Sequence, residues 1–402
     1  MQITPTFPKR KEFFMKLSQF RIVIPANCSY NEQRSVRDMI KSLDLVMPII
    51  TDENPTCSPE VVFGKTNRAA SEALYRTLPL GSYAIVSEDD SIYVAYDNSL
   101  VATEAIAKIG ELFREDITLP LHIVETPDHA ALYMQKTNEE QIRVMTTNIV
   151  AAGDLDALKY LGAKYDVTYI DRIDIQASMI LDYLPDVIGL QELQEGTVNK
   201  VEGHMHTELM KRIGHEYTKI NMNDYVPVVK HQWTPIAYRH TKWDLVEFRV
   251  ATNEEILNVM HRWLWGVYRR KADGQLFIHI NLHGPHGGNQ EFRDFMPVFF
   301  ARVNEQVKAL QEKYPNVPIA ITGDYNQLYD TPSIGELRKN TSLDTAYLVA
   351  KDTTYPERYG VIDHIMITTD LVEADTYRMI EHGLIYMTSD HRPCFTDLTV
   401  KK

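Results

Sequence analysis

Val317-Pro318-Ile319-Ala320-Ile321-Thr322-Gly323-Asp324-Tyr325-Asn326 opens as a short apolar run rich in β-branched residues and ends in Gly-Asp-Tyr-Asn. The run reads as a buried strand. Gly323 frees the backbone to turn, and short polar side chains then stand at the strand's carboxyl end. Strands hold such residues rigidly, which is why chemistry gathers there in sheet-based enzymes. Taken alone, Gly-Asp-x-Asn is more simply an Asx turn closing a strand. The same design recurs along the chain, and the recurrence favours a site.

Outward from this stretch, Ile142–Asn148 reads as a strand ending in asparagine. Pro185–Glu192 is a buried strand ending in a carboxylate. Gln275–His283 ends in a histidine and pairs with Trp263–Tyr268 across Lys271-Ala272-Asp273-Gly274, where Asp-Gly is a strong hairpin signal. Asp363 begins the run Asp363-His364-Ile365-Met366-Ile367, and Asp390 with His391 lies between two further runs. Ile236–Arg239 and Leu245–Phe248 look like a strand pair about a polar turn. Helical spacing covers Arg172–Tyr183 and a segment ending near Lys313, with Pro297 either in its first turn or kinking it. Each polar end has a bland explanation: a cap, a solvated glutamate, a mobile Gly-rich loop, a surface turn. Their joint occurrence is harder to explain that way. Carboxylates, histidines and asparagines gathered at strand ends are the donors that a hard cation and a phosphate require.

From about 142 to 400 the chain resembles the endonuclease/exonuclease/phosphatase superfamily, the deoxyribonuclease-I-like proteins. The motifs that carry the resemblance are Thr147-Asn148, Pro185-Asp186-Val187-Ile188-Gly189-Leu190-Gln191-Glu192, Asn281-Leu282-His283, Gly323-Asp324-Tyr325-Asn326, Ile362-Asp363-His364-Ile365 and Ser389-Asp390-His391-Arg392-Pro393. Arg262-Trp263-Leu264-Trp265 also fits. Leu282 departs from the threonine usual before the motif histidine, and the loop after His283 is unusually rich in Gly and His. The resemblance implies a two-sheet β-sandwich flanked by helices.

It also implies metal-dependent hydrolysis of a phosphodiester or phosphate ester by in-line attack of water. Mg²⁺ takes oxygen ligands and keeps several waters, so one or two carboxylates hold it, and Mn²⁺ can replace it. Glu192 is the expected principal ligand. Asp390 is a second ligand or a neighbour acting through water, and Asn148 lies near the metal or the phosphate. His391 is the base or phosphate-binding acid. By resemblance, Asp363 pairs with His391, Asp324 positions or deprotonates the attacking water, Asn326 holds a phosphate oxygen, and His283 donates to a non-bridging oxygen. A zinc site built on His283 and His286 is a weaker reading. So is a non-catalytic binding protein on the same fold, which predicts loss of Glu192, Asp324, Asp390 or His391; none is lost. Trp263 and Trp265 share one strand face and read as core. Arg269-Arg270-Lys271 reads as a solvated hairpin tip.

The first third of the chain has a different pattern. Phe20–Ile24 and Val61–Gly64 read as strands, Asn31–Leu43 and Leu100–Phe113 as helices, and Gly81–Val86 with Ser91–Tyr96 as a hairpin. Asn67 is placed to cap a helix reaching about Leu78. The segment resembles the small non-catalytic N-terminal domain of some glycoside hydrolases, carried by Val61-Val62-Phe63-Gly64-Lys65-Thr66-Asn67-Arg68, the Gly81-Ser82-Tyr83 strand pair and the closing helix. The expected organisation is a small α+β accessory domain at 1–127, a linker at 128–141 and the catalytic domain at 142–402.

A chain of 402 residues accommodates two such domains. Its net charge of −13 lacks the basic footprint of sequence-independent nucleic-acid binding. The expected substrate is therefore a phosphorylated small molecule or a nucleic acid engaged through metal. Three cysteines without a CxxC read as reduced thiols. The N-terminus shows no apolar signal-peptide core and no stretch spans a membrane, so the default expectation is cytoplasmic.

Overall fold

A computed structural model of the chain describes residues 13–79, 81–97, 99–114, 117–127, 140–154, 165, 167–220, 232–251, 262–354, 361–380 and 384–402. Most of the linker expected at 128–141 lies outside the described residues. The chain divides into two compact units, Met1–Gln135 and Lys136–Lys402.

In the first unit β1 (Phe13–Met15) pairs with β7 (Ile117–Leu119). The main sheet contains β2 (Arg21–Ile24), β3 (Ile49–Thr51), β4 (Glu60–Phe63), β5 (Tyr83–Glu88), β6 (Ser91–Tyr96) and β8 (His122–Glu125), ordered β3-β2-β4-β6-β5-β8. The first four in that order are mutually parallel, and β5 runs antiparallel to both its neighbours. Helices Tyr30–Ser42, Ala69–Tyr75 and Ser99–Leu112 complete the unit. Val36, Met39, Ile40, Ala102, Ala105, Ile106 and Ile109 join one apolar core with the strands. Ser29 caps the first helix with Glu32 in a reciprocal capping box. Asn67 does not cap the second: Arg68 holds that position, and Asn67 instead bonds the backbone and side chain of Asp52.

The second unit is built on two sheets. The strands of the first are β9 (Ile142–Asn148), β10 (Val187–Gln191), β13 (Tyr217–Ile220), β15 (Ile236–Arg239), β21 (Asp352–Thr354), β23 (Val372–Met379) and β24 (Cys394–Val400). Their order is β13-β15-β10-β9-β24-β23-β21. The second sheet takes β16 (Trp243–Val250), β17 (Arg262–Arg270), β18 (Leu276–His283), β19 (Ile319–Asp324), β20 (Leu343–Thr345) and β22 (Asp363–Thr368), in the order β16-β17-β18-β19-β22-β20. A small sheet of β11 (Leu193–Val198), β12 (Val201–His204) and β14 (Gln232–Trp233) stands beyond the end of β10. Ile236–Arg239 and Leu245–Phe248 are therefore not a hairpin. The first pairs with β10 and β13, the second with β17, and the polar turn between them carries the chain from one sheet to the other.

Alternation sorts the side chains of the second sheet. Trp263, Trp265, Ile278, Ile280, Leu282, Ile319 and Ile321 meet Phe299, Phe300, Val303 and Val307 of helix Gln290–Lys313 on its outer face. Pro297 falls inside that helix, two turns from its start. Leu264, Tyr268, Phe277, Ala320 and Ile365 face inward, against Val144 and Val187 of the first sheet. The sheets approach tightly at Gly189: a Cβ there would lie 2.0 Å from Thr322 Oγ1 and 2.3 Å from Asn281 Oδ1. The strand holding Gly323 runs on through Asp324, and the turn comes at Asn326, with φ 54°. Gly323 serves close approach instead, since a Cβ would lie 2.3 Å from the Leu282 carbonyl. Among the described residues no helix is long and apolar enough to cross a membrane.

Candidate active site

Inward-facing positions become polar as the strands approach one end of the sandwich, and they do so in two layers. The lower layer is Thr146, Gln191, Asn281 and Thr322, all buried. Gln191 donates to Asn281 Oδ1 at 2.8 Å, and Thr322 donates to the same oxygen at 3.0 Å. Asn281 in turn donates across to the Leu190 and Pro235 carbonyls at 2.9 Å. Two residues further along β9, β18 and β19, on the same face, stand Asn148, His283 and Asp324. A satisfied polar layer thus supports the site.

Asp324 is the hub of the upper layer. Asn148 Nδ2 donates to Asp324 Oδ2 at 3.1 Å and to Glu192 Oε1 at 3.0 Å. His283 Nε2 lies 3.7 Å from Asp324 and 3.9 Å from Glu192. His391 Nε2 lies 3.7 Å from Asp324, while its Nδ1 meets Asp363 Oδ2 at 2.7 Å. The Asn326 backbone N–H donates to Asp324 Oδ1 at 2.8 Å, and its side-chain amide donates to the Gly284 carbonyl at 3.0 Å. Ligand atoms within 4.8 Å of one another form two groups, Glu192–His283–Asp324 and Asp324–Asp363–His391.

Of the eight residues expected at the site, seven converge here. The eighth, Asp390, is exposed and belongs to neither ligand group, though its charge is felt at both Glu192 and His391. Asn148 Oδ1 accepts the Val150 N–H at 3.0 Å, so Asn148 turns its amide hydrogens, not its oxygen, toward the carboxylates. His286 stands in neither group; its Nδ1 accepts the Gly288 N–H, and its ring packs T-shaped against Phe292.

Local backbone geometry aims these groups. Glu192 has φ 56° and Val150 has φ 52°, left-handed conformations that cost a non-glycine residue on the order of 1 kcal/mol or more. Such strain persists where the surroundings over-determine it. Arg172 supplies part of that constraint. Its Nη1 donates to the Ile149 and Val150 carbonyls after β9 and to the Thr388 carbonyl before Ser389-Asp390-His391. Gln176, one turn on, donates to Thr388 Oγ1 at 2.8 Å. The helix Tyr169–Tyr183 therefore ties together the loop that follows Asn148 and the one bearing His391.

The electrostatics divide the histidines. Burial pushes His283 down to about 4, with Asp324 opposing, so it is neutral near pH 7. Burial opposes charge on His391 too, but Asp363 and Asp324 outweigh it and hold the imidazole well above its ordinary value. Burial raises Asp324 and Glu192; His391 opposes it at Asp324, and the Asn148 hydrogen bond opposes it at Glu192. Closely set carboxylates that resist ionisation form an oxygen-donor set suited to a hard divalent cation, which would relieve that cost.

Sequence reasoning missed Arg172, Gln176 and the lower polar layer. The signal was there: Arg172 and Gln176 share a helical face with Met179 and Tyr183, and Asn148, His283 and Asp324 each have a polar residue two positions earlier.

This architecture is that of the endonuclease/exonuclease/phosphatase proteins. An endonuclease/exonuclease/phosphatase of Bacteroides vulgatus superposes with a TM-score of 0.52 at 22% identity, over 65% of this chain and 99% of that one. The mannosyl-6-phosphatase of Bacteroides thetaiotaomicron gives 0.51 at 20% identity, over 64% and 99%. The catalytic domain of human nocturnin gives 0.51 at 18% identity, over 66% and 95%. At these identities the likeness establishes the fold, and it leaves about a third of the chain without a counterpart. No family model and no curated protein matches the chain.

Proposed function

We propose that the chain is a metal-dependent phosphoester hydrolase acting by in-line attack of water, with its chemistry in the second unit. The observation that carries this reading is the position of Asp324, within 3.1–3.7 Å of Asn148, His283 and His391, with Asp363 behind His391. That is a carboxylate poised between neutral donors and an imidazolium, as an attacking water and a phosphoryl group would require. Both potential ligand groups found among the described residues lie in the second unit.

Glu192 and Asp324 fit a divalent cation, Mg²⁺ or Mn²⁺, with Asp390 as an outer neighbour through water. When bound, the cation would neutralise phosphoryl oxygens and stabilise charge on the leaving oxygen. Asp324 orients the water and accepts its proton. Neutral His283 donates Nε2–H to a non-bridging oxygen. His391, held cationic by Asp363, donates to the phosphoryl group. Asn148 holds Glu192 and Asp324 with its two amide hydrogens, and Asn326 offers the amide hydrogen not engaged by Gly284.

Proteins of this fold include one described as a mannosyl-6-phosphatase. A phosphomonoesterase on sugar or inositol phosphates is therefore the second reading beside a diesterase on nucleic acid. We take the first unit as a non-catalytic accessory module, in keeping with its resemblance to the N-terminal domain of some glycoside hydrolases. Hydrolysis of bis- and mono-p-nitrophenyl phosphate with Mg²⁺ or Mn²⁺, with and without chelator, tests the proposal. Metal-dependent release of nitrophenol from at least one ester is expected. No hydrolysis of either, or full activity in chelator, rejects it.

A further inference from the structure

Four side chains form one row across the second sheet: Arg262 faces His283 in register, His283 faces Asp324, and Asp324 faces Asp363. Directly paired residues share a sheet face, here the inward face that also carries Leu264 and Phe277. Three of the four belong to the site already described. The fourth, Arg262, is fully buried, and among the described residues none of its three guanidinium nitrogens has a hydrogen-bond partner.

Other buried arginines of this unit are engaged. Arg143 makes a two-point pair with Asp397, Arg172 binds three carbonyls, and Arg378 pairs with Asp352. Burial lowers Arg262 to about 9, which still leaves it a cation at neutral pH. A buried, unpaired guanidinium with five unused donors is costly, and such a group calls for an anion. Its charge already reaches His283, which it helps keep neutral.

Glu192, Asp324 and Asp363 belong to two ligand groups that share Asp324, and the Asp390 charge acts at Glu192 and His391, so a second negative charge on a phosphoryl group would be repelled there more than a first. We propose that Arg262 is the fixed counter-charge that offsets this repulsion, making the site selective for phosphoryl groups carrying two negative charges: monoester dianions rather than diester monoanions. This rests on the phosphoester-hydrolase reading. Arg262 is buried beside His283, so it acts as a positioning residue. Through a low-dielectric interior a charge is felt over several ångströms without contact.

The test compares wild type, Arg262→Met and Arg262→Lys in the full, Mn²⁺-loaded chain, with melting temperatures alongside. On p-nitrophenyl phosphate the methionine variant should lose kcat/KM on the order of 100-fold, and on bis-p-nitrophenyl phosphate less than about 10-fold. The lysine variant should recover most of the monoester activity. Equal losses on both esters, or a lysine variant no better than methionine, overturn the proposal. If wild type hydrolyses neither ester, the enzymatic reading fails by itself. Calorimetric binding of inorganic phosphate then decides: at least 10-fold weaker binding in Arg262→Met supports the counter-charge, and unchanged binding rejects it. Should the methionine variant not fold, Arg262→Gln carries the same comparison.

Discussion

Replacing Asp324 by asparagine keeps its volume but removes the charge set between Asn148, His283 and His391. If Asp324 handles the proton of the attacking water, Asp324→Asn lowers kcat on the order of 10³-fold with little change in melting temperature. A variant as active as wild type refutes the assignment. The His391–Asp363 contact leads to a separate expectation. Asp363 is the largest of the charges that outweigh burial and raise His391. In the metal-free protein, NMR titration should place His391 well above the ordinary imidazole value, and Asp363→Asn should lower it. A raised histidine stabilises fully below its unfolded pKa, and that contribution is lost as pH rises through the folded value. Asp363→Asn should therefore cost the metal-free protein more stability at pH 6 than at pH 9. Equal losses at both pH values would rule out this coupling.

The elements matter because alternation places a support beneath each functional side chain. Asn281 lies two residues before His283 on β18 and receives hydrogen bonds from both Gln191 and Thr322. Asn281→Leu removes the acceptor those two donors share and both donors to the Leu190 and Pro235 carbonyls in a dry interior, at roughly 1–3 kcal/mol in all. A clear fall in melting temperature and reduced kcat are expected, without direct loss of any group that touches substrate. Gly189→Ala tests the same layer sterically, since its Cβ would lie 2.0 Å from Thr322 Oγ1. Circular dichroism melting of both variants checks this. Wild-type stability in both would mean the two sheets do not meet there as tightly as described.

At the scale of the molecule, the division at Gln135 and Lys136 predicts that residues 136–402 fold alone and keep the hydrolytic activity. Expression of that fragment and assay on the nitrophenyl esters test it. An inactive or insoluble fragment would show that the first unit is needed for the site. Metal should also couple to global stability. Glu192 and Asp324 are raised by burial, so in the metal-free protein they oppose folding increasingly as pH rises above the ordinary carboxylate range. A bound cation relieves this by displacing protons. Mn²⁺ should therefore raise the melting temperature more at pH 8 than at pH 5, and a pH-independent increment would speak against these carboxylates as ligands.

Much of this was legible because the site is assembled from strand ends. A strand-terminal Asn148, Glu192, His283 or Asp324 is visible as a polar residue closing an apolar run, and the order of such motifs along the chain carried the resemblance that implied the two-sheet fold. Local pattern also gave Trp263 and Trp265 as core, since period-two spacing is a property of the strand alone. What the sequence by itself could not decide is which strands become neighbours. Pairing is long-range: the polar turn after β15 looked like a hairpin yet crosses between sheets, and Gly323 looked like a turn yet serves a close approach to Leu282. Only the tertiary structure set Arg172 between two distant loops and left Arg262 without a partner beside His283, because the burial and neutralisation of a charge depend on what the rest of the chain brings around it.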